Sequence, residues 1–468
     1  MKVFSVKPVT FGNKNQYNKI QSNQSFNKVE KNKKEIVAAA IGASSIIAGI
    51  VIYKNLKSTN KKIEKCIDNV ITKGSSLDNE YRKSILKALN LPESKLDSIQ
   101  SILGEQEFKS TITKFSALPK AYTPGNSLIT KTQDEYILDG VKNKTFRISL
   151  HNHTTHSDGK MNIKELLEQA ANYADEVYNH NKNNTKVVAQ EAPFTIAITD
   201  HDTVEGCKEV VKIISNNPEK YKNLRVVLGS ELSVECTYLG SEQKKPVSVH
   251  LVLNCINPFD ENLNNFLDKI KTNRKKLAEK FFDDFKQEIS ETLDKKVAEK
   301  FSLKEAQEEH KVLKDGLNYP WYYLKSYVKS KLDPSEEKQI MTIFSKIQKK
   351  YEPKMELQDY CINMEDLINL IKKQPSGYMT IAHPALYPIG ECITNGAEAH
   401  NKLTALISNF KIKGGEKALA VEVYYPYFGE VGKSTTWLET ISKSTQESGL
   451  IPVGGLDSHG NSIFYSNK

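Results

Sequence analysis

The stretch Phe146-Arg147-Ile148-Ser149-Leu150-His151-Asn152-His153-Thr154-Thr155-His156-Ser157-Asp158-Gly159 decides how this chain is read. Phe146, Ile148 and Leu150 alternate with Arg147, Ser149 and His151, which is the period of a β-strand. Carried past the strand end, the same alternation points His151 and His153 in one direction. A helix is predicted from Asn162, where Asn162 and Glu165 have capping-box spacing. Ile163, Leu166, Leu167, Ala170, Ala171 and Ala174 would form its apolar face. The order is strand, polar site, helix.

Working outward, the unit recurs. Residues 194–199 run into Asp200-His201-Asp202, with a helix from about Val204. Residues 225–228 lead to Glu231, and 247–249 lead to His250. Further on, 378–382 end at His383, 418–423 carry Glu422 into a Tyr-Pro turn, and 450–453 precede Gly454-Gly455-Leu456-Asp457-Ser458-His459. Helical patterns at 364–373, 397–410 and 434–447 fall between the later strands. Alternation of strands with helices argues for a parallel sheet, and metal-ligating residue types at many strand ends argue for a barrel. The expected fold is therefore α/β, a distorted (β/α)7 barrel. Six of the ten histidines (His151, His153, His201, His250, His383, His459) fall at or just past these strand ends, with Asp158, Glu231 and Asp457. Such a group is tolerable on one face only with hydrogen-bond partners or cations. Imidazole with carboxylate and no thiolate suits Zn, Mn or Fe.

Composition bounds the rest. A chain of 468 residues with 38% hydrophobic and 26% charged content can bury a large core. Its six cysteines lie far apart, which indicates neither a disulfide framework nor a thiolate metal site and suits a reducing compartment. The net charge of +9 suggests nucleic-acid binding until it is located. Residues 1–65 hold 13 lysines against three glutamates, so the remainder is nearly neutral and no long basic track for a polyanion is visible in the total. Those lysines surround an apolar run of 18 residues, 36–53, read as a single-pass transmembrane helix. The catalytic part is expected on the cytoplasmic side, an orientation that the evenly shared lysines do not themselves determine. The expected organisation is a disordered basic tail (1–35), the membrane helix (36–53), a helical spacer (54–130), a first barrel part (131–257), a helical insertion (258–357) and a second barrel part (358–468).

The motifs His151-x-His153-Thr154-x-x-Ser157-Asp158-Gly159, Ile198-Thr199-Asp200-His201-Asp202-Thr203, Gly229-Ser230-Glu231, His250, Ala382-His383-Pro384 and Gly455-Leu456-Asp457-Ser458-His459-Gly460 resemble the ordered motifs of the polymerase and histidinol phosphatase (PHP) domain. The resemblance spans about residues 146–468. It implies a distorted (β/α)7 barrel with three divalent metal ions. His151, His153, Glu231 and Asp457 would hold the first, Glu231 would bridge to a second completed by His250 and His383, and Asp158, His201 and His459 would hold the third. Asp158 stands where some members have His, which resembles the branch acting on nucleotide phosphates and RNA 5′ ends. The implied activity is hydrolysis of a phosphate ester by a metal-bound hydroxide opposite Glu231, with Glu231, Asp457 and His201 as catalytic residues.

In that branch the helical insertion caps the site and supplies arginines for a substrate phosphate. Here Arg274 is the only arginine in the insertion and the candidate for that role, since a guanidinium holds phosphate in a bidentate way; a solvated helix face is the competing reading. Asp200 and Asp202 are expected to orient imidazoles, or Asp202 to cap the following helix. The partners expected are a small phosphorylated substrate, a nucleotide or short oligonucleotide, and a membrane through 36–53; no protein partner is inferred. Two other readings are a 5′-end exonuclease in the same site, and a non-catalytic, metal-braced membrane-tethered module.

Overall fold

A computed structural model describes residues 78–114, 140–144, 146–182, 194–236, 247–309, 320–355, 362–387, 396–425 and 435–464. The basic tail and the apolar run 36–53 lie outside the described residues. Among the described residues no helix is long and apolar enough to cross a membrane.

All seven expected strands form. They are β1 (Ile148–Ser149), β2 (Phe194–Ile198), β3 (Leu224–Cys236), β4 (Val247–Asn254), β6 (Tyr378–Ile381), β7 (Ala418–Tyr424) and β8 (Ile451–Gly454); a two-residue strand, β5 (Ile362–Asn363), pairs beside β3. They lie in the order β1-β2-β3-β4-β6-β7-β8. The two ends of this sheet then meet, because Leu150 N–H donates to the Gly454 carbonyl at 3.1 Å and Asn152 bridges to Ser458. The result is a nearly closed seven-stranded barrel.

One strand departs from the expected parallel order. β4 runs antiparallel to both neighbours, with Ser233 opposite His250 on one side and Leu251 opposite Ile381 on the other. His250 accordingly sits inside its strand, near the end where β4 begins, and Glu231 sits in mid-strand, because β3 continues five residues past it. The reversal is what brings His250 to the end of the barrel where the parallel strands finish.

The helix Ile163–Lys182 starts as its capping box requires: Asn162 N–H donates to Glu165 at 3.0 Å, and Glu165 N–H donates back to Asn162 Oδ1 at 2.9 Å. Its six predicted apolar residues are buried, packed with Val210, Val211 and Ile214 of the helix Glu205–Asn216 against β2 and β3. Inside the barrel, Ile148, Ala197, Val227, Tyr378, Ala420 and Val453 pack with Leu103, Phe108 and Ile112, which arrive from residues 78–114. Phe108 stacks on Tyr378 at 4.9 Å, and Leu103 N–H donates to the Val226 carbonyl. The segment ahead of the barrel thus fills its interior, and Asp78 fixes the helix Glu105–Lys114 by accepting from Glu107 N–H at 2.9 Å.

The described residues of the insertion are largely helical and have their own core of Phe281, Phe282, Phe285, Phe301, Tyr323, Tyr327 and Phe344. Its 32-residue helix Glu261–Thr292, about 48 Å long, belongs to both bodies. Leu263, Leu267 and Ile270 join the barrel core, and Leu277 onward joins the cap core.

Candidate metal centre

Asn152 explains how the two histidines of the opening stretch share a direction. Its side chain turns the other way, donating to the carbonyls of Ser149 at 3.0 Å and Ala197 at 2.9 Å and accepting from Ser149 Oγ at 3.0 Å. His153 N–H is held by the Ser458 carbonyl at 2.9 Å, so the closing seam of the barrel also carries the ligand candidates. Gly159 allows the turn that follows, since a Cβ there would lie 2.4 Å from the His153 carbonyl.

All nine expected ligand residues converge. His151, His153, Glu231 and Asp457 form one group able to hold a metal ion; His153, Asp158, His201 and His459 form a second; His201, Glu231 and His250 form a third. His383 joins the third through Nε2, 2.9 Å from Glu231 Oε1, where His250 Nδ1 also lies at 2.8 Å. Glu231 is at the centre of everything. Its other oxygen, Oε2, stands 3.1 Å from His151 Nε2, 3.2 Å from His153 Nε2 and 3.1 Å from His201 Nδ1.

Those contacts test whether the residues suit a metal. Glu231 Oε2 accepts no hydrogen bond despite three close ring nitrogens, and Asp158 Oδ1 and His383 Nδ1 are likewise buried without one. His151 Nε2 and His153 Nε2 face each other at 3.0 Å. Two nitrogens bound to one ion at about 2.1 Å would be separated by about 3.0–3.4 Å. The unpartnered Glu231 Oε2 and the two facing imidazole nitrogens thus suit an ion shared at a common point, while Glu231 Oε1 is engaged by His250 and His383. The donor set is imidazole and carboxylate; the Cys207 thiol is turned away toward the Gly229 carbonyl.

Charge points the same way. Burial opposes a charged His151 ring, but Glu231, Glu422 and Asp457 outweigh it and hold its pKa well above the ordinary histidine range. Burial likewise opposes a charged His153 ring, but the Asp457 and Glu231 carboxylates beside it outweigh burial and push its pKa up to about 10. Burial together with His153 and His250 lowers His201 to about 3 against the pull of Glu231 and Asp158. Burial of Glu231 is outweighed by His151, His201 and His250, which hold it well below the carboxylate range. The cluster demands positive charge, which protons or divalent cations can supply.

The centre opens to one side. Side chains of His151, His153, Glu231 and Asp457 are at most 2% exposed, whereas Asp158 is 33%, His250 32% and His201 18% exposed. A ligand would reach the cluster past the last three.

The surrounding residues differ from expectation. Asp200 orients no imidazole directly: it accepts from Thr154 N–H at 2.6 Å, Thr154 Oγ1 at 2.8 Å and Ser157 Oγ at 2.7 Å, and Ser157 in turn stands 3.3 Å from His153 Nδ1. Asp202 does not cap the helix after it, because its carboxylate pairs with Arg274 and accepts from Ser233 N–H at 3.4 Å. Arg274 lies on no solvated face; it is buried on the cap helix, and this contact ties it to the residue following His201. His156 pairs with Glu209 at 2.9 Å, outside the candidate metal groups.

Two residues to which the sequence assigned no role also take part. Tyr425 Oη donates to Asp457 Oδ2 at 2.7 Å. Glu422, buried at the end of β7, lies 3.2 Å from His151 Nδ1 and accepts from His383 N–H at 2.6 Å. A carboxylate at the end of an otherwise apolar strand was the signal available for Glu422. Three of the non-glycine residues with positive φ also sit here: Asp202 (49°), His383 (27°) and Asp457 (48°). Such backbone is strained for these residue types, and the surrounding contacts hold it.

No family model matches the sequence, and no curated protein matches it. Among solved structures the chain is similar to a candidate metal-dependent phosphoesterase from Bifidobacterium adolescentis, at 18% identity and TM-score 0.42, over 68% of this chain and 88% of that one. It is also similar to an amidohydrolase from Chromobacterium violaceum with bound sulfate and no metal, at 19% identity and TM-score 0.39, over 67% of this chain and 88% of the other. Likeness at this level assigns the chain no family and no substrate.

Proposed function

We propose that this chain is a metal-dependent hydrolase that cleaves a phosphate ester of a nucleotide-like substrate. The observation that carries the reading is Glu231, a fully buried carboxylate with imidazoles from four separate strand ends and loops gathered on its two oxygens. In this reading His151, His153, Glu231 and Asp457 hold one divalent ion, Glu231 with His250 and His383 a second, and Asp158, His201 and His459 a third. When bound, the ions screen the phosphate oxygens and bring a water's pKa toward neutrality.

The chain's own residues do the positioning. Asp457 is fixed by Tyr425, and His153 by Ser157 and Asp200, so neither side chain must reorganise during the reaction. The exposed edge formed by Asp158, His201 and His250 receives the anionic substrate, and the cap helix stands beside it through Arg274 and Asp202.

The test is turnover by the full chain, stripped of metal and then supplied with Mn, against nitrophenyl phosphate, a nucleoside bisphosphate and a 5′-phosphorylated oligonucleotide. Mn-dependent release of phosphate from a small ester is expected. Clear preference for the oligonucleotide would replace the small substrate with a nucleic-acid end, and turnover of none with metal bound would overturn hydrolysis.

A further inference from the structure

We propose that Glu422 is a positioning residue that couples two of the candidate metal subsites; the inference rests on the reading of the cluster as a metal centre. Glu422 belongs to none of the three candidate ligand groups, yet it is buried and both its oxygens are engaged. Oε1 faces His151 Nδ1 at 3.2 Å, and Oε2 accepts from the main-chain N–H of His383 at 2.6 Å.

Each contact acts on a different ligand. A carboxylate beside Nδ1 keeps the proton on that nitrogen, which leaves the lone pair on Nε2, and His151 Nε2 is the atom facing Glu231 and Asp457. At His383 the backbone is held at φ 27°, a conformation a histidine rarely adopts, and the carboxylate anchors its N–H there while Nε2 faces the other oxygen of Glu231. One side chain therefore sets the tautomer of a ligand of the first subsite and the backbone of a ligand of the second. Gly455 makes room for this arrangement: a Cβ there would fall 2.1 Å from Glu422 Oε1 and 2.4 Å from His151 Cβ.

An amide cannot replace this carboxylate. In Glu422→Gln one of the two contacts would set an NH2 group against an N–H donor, so either His151 changes tautomer or His383 loses its acceptor. Glu422→Asp keeps the charge and shortens the reach, so the two contacts cannot both be made.

The experiment is Co(II) titration of the metal-free full chain, read by visible absorption and by bound-metal analysis, for wild type, Glu422→Gln and Glu422→Asp, with metal-free melting curves alongside. The expected result is a melting curve near wild type, affinity weakened about 10–100-fold in both variants at more than one bound ion, and an altered Co(II) spectrum. If Glu422→Gln alone fails to fold, Glu422→Asp carries the same expectation. Wild-type affinity and an unchanged spectrum in either folded variant would overturn the role of Glu422 while leaving the metal centre standing. A wild-type chain that takes up no Co(II) would overturn both.

Discussion

The barrel and the cap dispose of their charges in opposite ways. In the barrel, Glu231, Asp457 and Glu422 are buried among histidines at one end, and the opposite part of the interior is sealed by Phe108 and Leu103. In the cap, phenylalanines and tyrosines fill the interior, and the charges form surface pairs such as Lys346 with Glu288 and Lys350 with Asp284. Surface pairs of this kind contribute little to stability. Carboxylates buried together are unfavourable unless cations accompany them. The abundant Lys and Glu of the cap therefore say little about function, while a few acids inside the barrel say much. A buried pair, Arg274 with Asp202, joins the two regions.

The comparison can be broken most forcefully at Glu231. Glu231→Gln and His151→Ala should each lower kcat by about 10³-fold or more, with circular dichroism unchanged and bound metal reduced. Near-normal turnover with full metal content in Glu231→Gln would remove that residue from the centre.

Next come the two apolar cores. Phe108→Ala and Phe285→Ala should each cost about 3–5 kcal/mol in urea unfolding, because both rings are fully buried. Only the first lies in the barrel interior, so Phe285→Ala should leave metal content at the wild-type level. Loss of metal in Phe285→Ala would mean that the cap core helps to build the centre. At the junction, Arg274→Ala should cost about 3–5 kcal/mol, since the Asp202 carboxylate stays buried with its countercharge removed. A rise in KM with an unchanged unfolding midpoint would instead make substrate binding the arginine's main role.

A smaller effect is expected at Asp78, whose pKa is raised to about 6 by burial and then by Glu107. The folded state holds this proton more tightly than the unfolded chain, so its contribution is fully present below the ordinary carboxylate range and is lost as pH rises toward and through about 6. Asp78→Asn should flatten that part of the stability profile; an unchanged slope would place the pH dependence elsewhere. Lys346→Ala in the cap should leave the unfolding midpoint unchanged within error.

Much of this was legible in the sequence, for identifiable reasons. Alternation across Phe146–His153 gave the facing of both histidines, and the Asn162–Glu165 spacing gave the start of the following helix. The direction of β4 was not legible, because Val247–Asn254 alternates in the same way whether it runs parallel or antiparallel. Nor was the filling of the barrel by residues 78–114, whose apolar side chains carry no mark of what they will meet. Supporting contacts were hidden by distance along the chain. His151 and Glu422 are 271 residues apart, and Arg274 and Asp202 are 72 apart. Ligand types announce themselves at strand ends, whereas the groups that hold them are chosen by three-dimensional proximity.

The most direct measurement is a crystal structure of the full chain grown with Mn, with an anomalous difference map. Peaks between the imidazoles and the carboxylates of Glu231 and Asp457 are predicted, with Glu231 contacting more than one of them. An empty cluster with Mn bound only at the surface would contradict the account.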